Sequence, residues 1–358
     1  MNVADSEKLA RVLEEAGYVR EESLESSIET RSSSLDTSIE KHFPSILLVN
    51  TCVVRQQAED RAAWYVTSAK GLKEKNPNLK IILCGCLVSE PGRDVKKQFP
   101  HVDLFLKPNE PEKLREFINS PPHPSSLNKR GGGRDSSRAG GEFVSIMTGC
   151  DNFCSYCVVP HVRGREYSRP LDDVLVEIKS LVEQGTTDIT LLGQNVNSYK
   201  YGLANLLRII ALHSSLFTLH FLTCHPRDMS DEIIEAVAEL SFVTKDFMMP
   251  LQSGDDEILK RMNRGYNLAH YLDRVKKIRS LMPNATISTD ILVGFPGESE
   301  EQFQNTLRAV QEIKFNDVHM FAYSPRPHTA AATLPDQLSD EIKQERLQRL
   351  IKTVRNML

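Results

Sequence analysis

The sequence predicts an α/β protein, with an N-terminal parallel-sheet α/β domain followed by a partial (β/α)6 barrel. Three observations carry that prediction. Short apolar runs of strand length alternate with amphipathic stretches of helix length in two successive blocks. A Pro-, Gly- and Ser-rich segment, "NSPPHPSSLNKRGGGRDSSRAGGE" (119–142), separates the blocks and has no apolar pattern, as an interdomain linker would. At 358 residues, the chain is long enough for two or three domains with buried cores.

The first block opens with "DSEKLARVLEEAGY" (5–18), a helix with Asp5 or Ser6 as its cap and Gly17 as its stop. "REESLESSIETRSSSLDTSIEK" (20–41) is rich in Ser and Glu, lacks periodicity, and reads as a mobile insertion. "ILLVN" (46–50), "KIILCG" (80–85) and "VDLFL" (102–106) read as buried parallel strands. A helix spans about Gln56 to Lys75, with Trp64 expected to pack on the sheet, and another covers "EPEKLREFIN" (110–119). In the second block the expected strands are 143–147, 188–193, 219–223, 247–251, 286–294 and 317–323, with helical stretches between them. A final helix begins at "SDEIKQERL" and runs to the chain end. The domains expected are therefore 1–118, a linker at 119–142, a core at 143–334 and a C-terminal helix at 335–358.

Composition excludes some classes. About 40% of residues are apolar and 26% are charged, which is ordinary for a globular protein. No apolar run approaches the roughly 18 residues of a membrane helix, and no secretory signal opens the chain, so a cytoplasmic location without a membrane partner is expected. The formal net charge is −4, so a polyanion would have to be met by local basic patches. Seven cysteines, single or tightly clustered, indicate metal or redox chemistry rather than disulfides.

Cys150, Cys154 and Cys157 stand at the spacing C-x3-C-x2-C just past the first strand of the second block. Barrels do their chemistry at that end. Three thiolates can hold three corners of a four-iron cluster and leave the fourth iron open. The alternatives are a zinc site or buried thiols; zinc sites usually close with four ligands, and a fourth is not evident, although His161 is four residues on. Cys52 and Cys86 lie just past two strands of the first block, the edge where open parallel sheets bind ligands. Cys84, two residues before Cys86 in an extended strand, would face the same side as a substitute ligand; a buried core thiol is the favoured reading. Cys224, Met248 and Met249 read as packing, and His161 and His225 as structural or as supports behind the ligands rather than ligands themselves.

"GCDNFCSYCVVPHVRGREYSRP" resembles the radical S-adenosylmethionine (SAM) enzymes, and within them the methylthiotransferases. The likeness extends through "VNTCVVRQQAEDRA", "CGCLVSEPG", "LLGQNVNSY", "HPRDMSDEII", "PLQSGDDEILKRMNRGY", "STDILVGFPGESEEQF" and "MFAYSPRPHTAAA". "RGREYSRP" is most similar to the branch that methylthiolates N6-isopentenyladenosine in transfer RNA (tRNA), near the anticodon. Relatives acting on threonylcarbamoyl-adenosine or on a ribosomal-protein aspartate are the rival enzymes, and a non-catalytic iron–sulfur protein is the rival from another class.

The resemblance implies two [4Fe-4S] clusters and SAM as cofactors. Cys150, Cys154 and Cys157 would hold the first cluster, whose open iron would bind SAM and cleave it reductively to a deoxyadenosyl radical. The target C–H, at carbon 2 of an adenine, is beyond side-chain acid–base chemistry, which makes a cofactor radical sensible. Tyr156, Gly294 and Gly297 would lie against the SAM adenine, and Gln194, Asn195, Gln252 and Ser253 would contact SAM or substrate. Cys52 and Cys86 match two of three ligands of an auxiliary, sulfur-supplying cluster. The third belongs to a turn that would precede "MNVADSE", and a β-rich RNA-binding domain would follow Leu358, so a chain shortened at both ends is expected. An anticodon loop would be held by Arg163, Arg165 and Arg169, with Lys260, Arg261, Arg264, Lys129, Arg130, Arg134 and Arg138 as further candidates. A flavodoxin or ferredoxin would supply electrons, and the protein is expected to be a monomer.

Overall fold

The computed structural model describes residues 2–20, 45–54, 56–108, 110–119, 141–213 and 217–357. Residues 21–41 of the predicted insertion and linker residues Lys129, Arg130, Arg134 and Arg138 lie outside the described residues. The chain forms two compact units, Asn2–Arg138 and Ala139–Leu358.

In the first unit, β1 (Ile46–Thr51), β2 (Lys80–Gly85) and β3 (Leu104–Leu106) form a parallel sheet in the order β1-β2-β3. Helices α1 (Asn2–Glu15), α2 (Gln56–Lys75), α3 (Val95–Gln98) and α4 (Pro111–Asn119) surround it. The central strand β2 is buried on both faces, as its unbroken apolar run requires. Ile82 and Cys84 pack with Leu9 and Val12 of α1, Leu106 of β3 and Leu114 of α4. By alternation Ile81 and Leu83 face the other way. The predicted third strand is shorter than expected, because Asp103 turns its carboxylate back to accept from the Ile81 amide and Lys73.

Two local expectations change. α1 starts at Asn2, so Asp5 and Ser6 lie inside it rather than at its cap; Asp5 is buried, and Ser6 Oγ accepts from Asn50 Nδ2 at 2.8 Å. Trp64 does not pack on the sheet. It is 51% exposed and sits edge-on to Tyr65, while Ala62, Val66 and Ala69 form the buried stripe of α2.

The second unit places six parallel strands in an arc: β4 (Glu142–Ser145), β7 (Asp188–Leu192), β8 (Thr218–Phe221), β9 (Asp246–Met248), β10 (Thr286–Val293) and β11 (Asp317–Ala322). The ladders β4-β7-β8 and β9-β10-β11 are joined where Leu219 bridges Val243 and the Cys224 amide donates to Met248 O at 3.0 Å. Among the described residues β4 and β11 share no pairing, so the barrel is partial. A short antiparallel ribbon, β5 (Met147–Thr148) with β6 (Tyr167–Ser168), interrupts the strand predicted at 143–147.

Between the strands lie α5 (Val159–Arg163), α6 (Leu171–Glu183), α7 (Leu203–His213), α8 (Asp231–Glu239), α9 (Asp256–Arg261), α10 (Leu268–Leu281) and α11 (Glu300–Ile313). Side-chain caps start several of them: Ser230, Asp255 and Asn267 each accept an amide of the first turn, and Ser299 with Gln302 forms a capping box. The final helix α12 (Asp340–Arg355) belongs to this unit. It packs on β11 and β10, and its Leu350 and Val354 enter the barrel core.

Candidate active site

The three clustered cysteines follow β5 on a loop held from several directions. The Cys150 amide donates to Gly164 O at 3.3 Å, and the Cys157 amide to Cys154 O at 2.9 Å. Ser155 ties the loop to the end of α9, its amide donating to Met262 O (3.0 Å) and its hydroxyl to Arg261 O (2.8 Å). Arg227 Nη2 donates to Asn152 Oδ1 at 2.5 Å, and Asn263 Nδ2 donates to the Asn152 and Phe153 carbonyls. The loop is thus fixed before any ligand arrives, which is what a ligand-holding loop needs.

The thiols are half-buried. Burial pushes the Cys157 thiol up to about 12, with the neighbouring Cys154 adding to the shift. Burial also raises Cys150, against a hydrogen bond from the Asn152 amide. Cys154 Sγ accepts from Arg264 Nη1 at 3.3 Å.

Arg264 is 4% exposed, which overturns its assignment to a surface RNA contact. Nη1 also reaches Tyr156 OH (3.4 Å), Nη2 donates to Pro250 O (2.8 Å) and Nε to Tyr266 OH (3.2 Å). Burial works to lower its pKa, but Tyr156, Tyr266 and Cys154 turn the net shift upward and keep it charged. Tyr156 packs on the cluster of Met262, Leu292, Phe295 and Tyr323.

The other predicted contacts divide. Among the described residues, Gln194 Oε1, just past β7, is buried without a partner, and so is His225 Nε2, past β8. Gln252 has a left-handed backbone (φ 72°) and is buried between β9 and β10, its amide donating to Asp290 O and its carbonyl accepting from Leu292. Non-glycine residues hold such a conformation at a cost and often at functional positions. Asn195 instead ties strand ends together: Nδ2 donates to Asp228 Oδ2 (2.7 Å), and Oδ1 accepts from the His225 amide (3.0 Å). Ser253 faces α11 and not the barrel mouth, because its hydroxyl pairs with Thr306 and accepts from the Asp255 amide.

Gly294 and Gly297 are left-handed (φ 73° and 71°), but side chains already occupy the space a Cβ would take, Lys343 at Gly294 and Arg261 at Gly297. Glu298 cinches that segment, Oε2 accepting from the Gly294 amide (2.8 Å) and from Arg346 of α12 (2.7 Å). Burial raises the Glu298 pKa against that pairing.

The arginine run separates in the same way. Arg165 is exposed, pairs with Asp151 (2.9 Å) and lies over the exposed Phe153 ring at 5.2 Å. Arg163 ends α5. Arg169, expected at phosphate, turns Nη1 inward, donating to Ser145 O (2.7 Å) and Glu177 Oε2 (2.6 Å) and fastening the ribbon to β4 and α6. Lys260 is exposed on an open cleft of about 550 Å³ shared with Arg227, Asn263, Tyr266 and His270.

Two residues escaped the sequence reading. Phe153 is an exposed aromatic between two cysteines, a signal the spacing itself contained. His225, expected as structural or as a support behind the ligands, has no partner for its buried Nε2 among the described residues; Nδ1 accepts from the Arg227 amide (3.3 Å), and burial with two nearby arginines lowers its pKa to about 2. The ring is therefore neutral and carries its proton on Nε2.

In the first unit, register brings the other two cysteines to one edge. Thr51 pairs with Gly85, and Cys52 and Cys86 are the residues that follow. Thr51 Oγ1 donates to Cys84 O (2.7 Å) and accepts from the Leu87 amide (3.2 Å), fixing the turn. Gly85 has φ 99°, and a Cβ there would strike Thr51. The strand and its alternation end at Gly85, and Cys86 opens a 3-10 turn. Cys84 lies in the α1–α4 core, and burial raises its pKa; Cys224 is likewise a buried packing thiol. Met249 is fully buried, and His161 is exposed near His328.

A family model described as the radical SAM superfamily matches residues 144–310, and one described as uncharacterized protein family UPF0004 matches 30–107. A tRNA-2-methylthio-N(6)-dimethylallyladenosine synthase of Clostridium perfringens is 41% identical over 372 residues, covering 99% of this chain and 79% of that protein. The synthase of Clostridium novyi is 41% identical over 376 residues, covering 100% and 79%. The chain belongs to the radical SAM methylthiotransferase family. Its fold is similar to that of the radical SAM methyltransferase TsrM from Kitasatospora setae, in one structure with cobalamin and a [4Fe-4S] cluster (TM-score 0.62, 16% identity, 92% of this chain and 73% of that one). A second TsrM structure, with tryptophan and a SAM analogue, gives a TM-score of 0.65 at 17% identity, covering 92% and 72%.

The residues of this methylthiotransferase fit the family's cofactors in part. Three half-buried thiols share one braced loop, and polar atoms at the ends of β7 and β8 lack protein partners, as a site for a polar ligand would leave them. Among the described residues no three His, Cys, Asp or Glu side chains are gathered to hold a single metal ion. The described residues also include no helix long and apolar enough to cross a membrane.

Proposed function

We propose that this chain methylthiolates carbon 2 of N6-isopentenyladenosine near the tRNA anticodon. The observation that carries this reading is the braced Cys150–Cys154–Cys157 loop at the barrel mouth, in a chain 41% identical along its length to synthases of that name. A four-iron cluster on those thiols, open at one iron, would bind SAM and supply the hydrogen-abstracting power that an aromatic C–H demands.

The chain's own residues hold and orient. Gln194 Oε1 and His225 Nε2 are the unpaired acceptor and donor for a polar ligand, and Tyr156 offers an aromatic face beside the cysteines. Cys52 and Cys86, at one edge of the first unit, would contribute to an auxiliary cluster, and Cys84 would not. Anticodon-loop phosphates would meet Arg163, Arg165 and the basic cleft at Lys260, while a base could stack on Phe153. Electrons would come from a small carrier such as a flavodoxin or ferredoxin.

Anaerobic reconstitution tests the reading. Iron and sulfide would be counted, and deoxyadenosine and methylthioadenosine sought by mass spectrometry. About eight irons with both products are expected, by the four-iron clusters assumed here. Four irons with deoxyadenosine alone would leave the auxiliary site empty, and zinc with neither product would overturn the reading.

A further inference from the structure

Arg264 is a buried cation whose position is imposed from three sides. The turn after α9 places it between Asn263 and Gly265, both left-handed (φ 56° and 69°), and its amide donates to Leu259 O at 3.0 Å. Its guanidinium then spans the Cys154 sulfur, the Tyr156 and Tyr266 hydroxyls and the Pro250 carbonyl. Tyr266 OH in turn donates to Leu251 O at 2.8 Å, so the partner is itself held. Among the described residues Arg264 bonds no carboxylate. A buried cation without a counter-ion is costly. The most acidic of its contacts is the Cys154 thiol, which gives up its proton when the sulfur binds iron.

We propose that Arg264 is a positioning residue for the barrel cluster, and that its fixed charge on the Cys154 sulfur raises the cluster's reduction potential. This rests on the reading that Cys150, Cys154 and Cys157 hold an iron–sulfur cluster. Reduction adds a negative charge to the cluster, and hydrogen bonds and cations at the ligand sulfurs stabilise the reduced form more than the oxidised one. The dry surroundings of Arg264 strengthen that effect. Lysine would keep the charge but not the planar fork that reaches sulfur, phenol and carbonyl together.

The test is an anaerobic redox titration of the full chain followed by electron paramagnetic resonance, made in a Cys52→Ser background to silence overlapping signals. Arg264→Lys should stay near the parent midpoint. Arg264→Gln should move to a more negative midpoint by at least a tenfold change in equilibrium, about 59 mV for one electron. Equal shifts in both variants, or none in either, would overturn the inference. Should both fail to take up iron, the parent chain labelled with 15N-arginine decides. A changed nitrogen coupling on the reduced cluster without SAM supports the contact, and an unchanged one overturns it. A parent chain that takes up no reducible cluster overturns the reading of the site and this inference with it.

Discussion

Both cysteine groups lie past strand ends, one after the parallel β1 and β2 and the other after ribbon strand β5, but they are held by different means. Cys52 and Cys86 are set by strand register and a glycine turn, with the Thr51 hydroxyl bridging the two strands. Cys150, Cys154 and Cys157 are set by side chains arriving from distant segments, Arg227, Asn263 and Arg264, and by the loop's own Ser155 reaching out to Arg261 O. Backbone ladders place a residue; a web of side chains also fixes the charge around it. The barrel loop therefore carries a buried cation at one of its sulfurs, and the sheet edge is placed by strand register and the Thr51 hydroxyl.

Substitution at each group is the strongest way to break this comparison. Cys154→Ser should abolish SAM cleavage, read as deoxyadenosine by mass spectrometry. Cys52→Ser should leave cleavage intact and remove methylthioadenosine. The reverse pattern would mean the two roles are exchanged.

The next contrast is pH dependence, which belongs to the barrel unit. His225 is held near 2 in the folded chain and titrates at about 6.5 when unfolded, so below 6.5 the unfolded chain binds the extra proton. Stability should fall as pH drops from 6.5, by up to about 1.4 kcal/mol per pH unit from this group. Urea unfolding at several pH values should show that slope, and His225→Asn should flatten it.

Two smaller effects sharpen the comparison. Arg169→Ala should cost about 1–3 kcal/mol, since it strips a partner from the buried Ser145 carbonyl and from the half-buried Glu177, whereas exposed Arg165→Ala should stay within about 0.5 kcal/mol. Filter-binding over a salt series should reverse that order for tRNA, with Arg165→Ala lowering the salt slope. Cys84→Ala should cost about 1–2 kcal/mol of unfolding free energy and leave iron uptake unchanged; lost iron would make it a ligand after all.

The strands, most helices and the cysteine spacing were legible because they are written in local patterns: apolar runs, a period of 3.6, and three thiols within eight residues. Errors arose where a local pattern met a long-range partner. "RGREYSRP" and "LKRMNRGY" both look like solvated charge, yet Arg169 turns inward to Glu177 and Arg264 to a sulfur 110 residues away. Ser253 beside Gln252 looks like one strand-end pair, but α11 claims the serine. Trp64 looks like core by residue type and is half-exposed, because the apolar stripe of its helix runs through smaller residues.

By itself, the sequence determined which elements form and which sulfurs lie at strand ends, since backbone preference and hydrophobic period act over a few residues. Only the tertiary structure decided which cations stay in water and which are buried beside a ligand. A charged side chain's fate is set by the desolvation it suffers and the partners it meets, and those come from parts of the chain that local pattern cannot bring together.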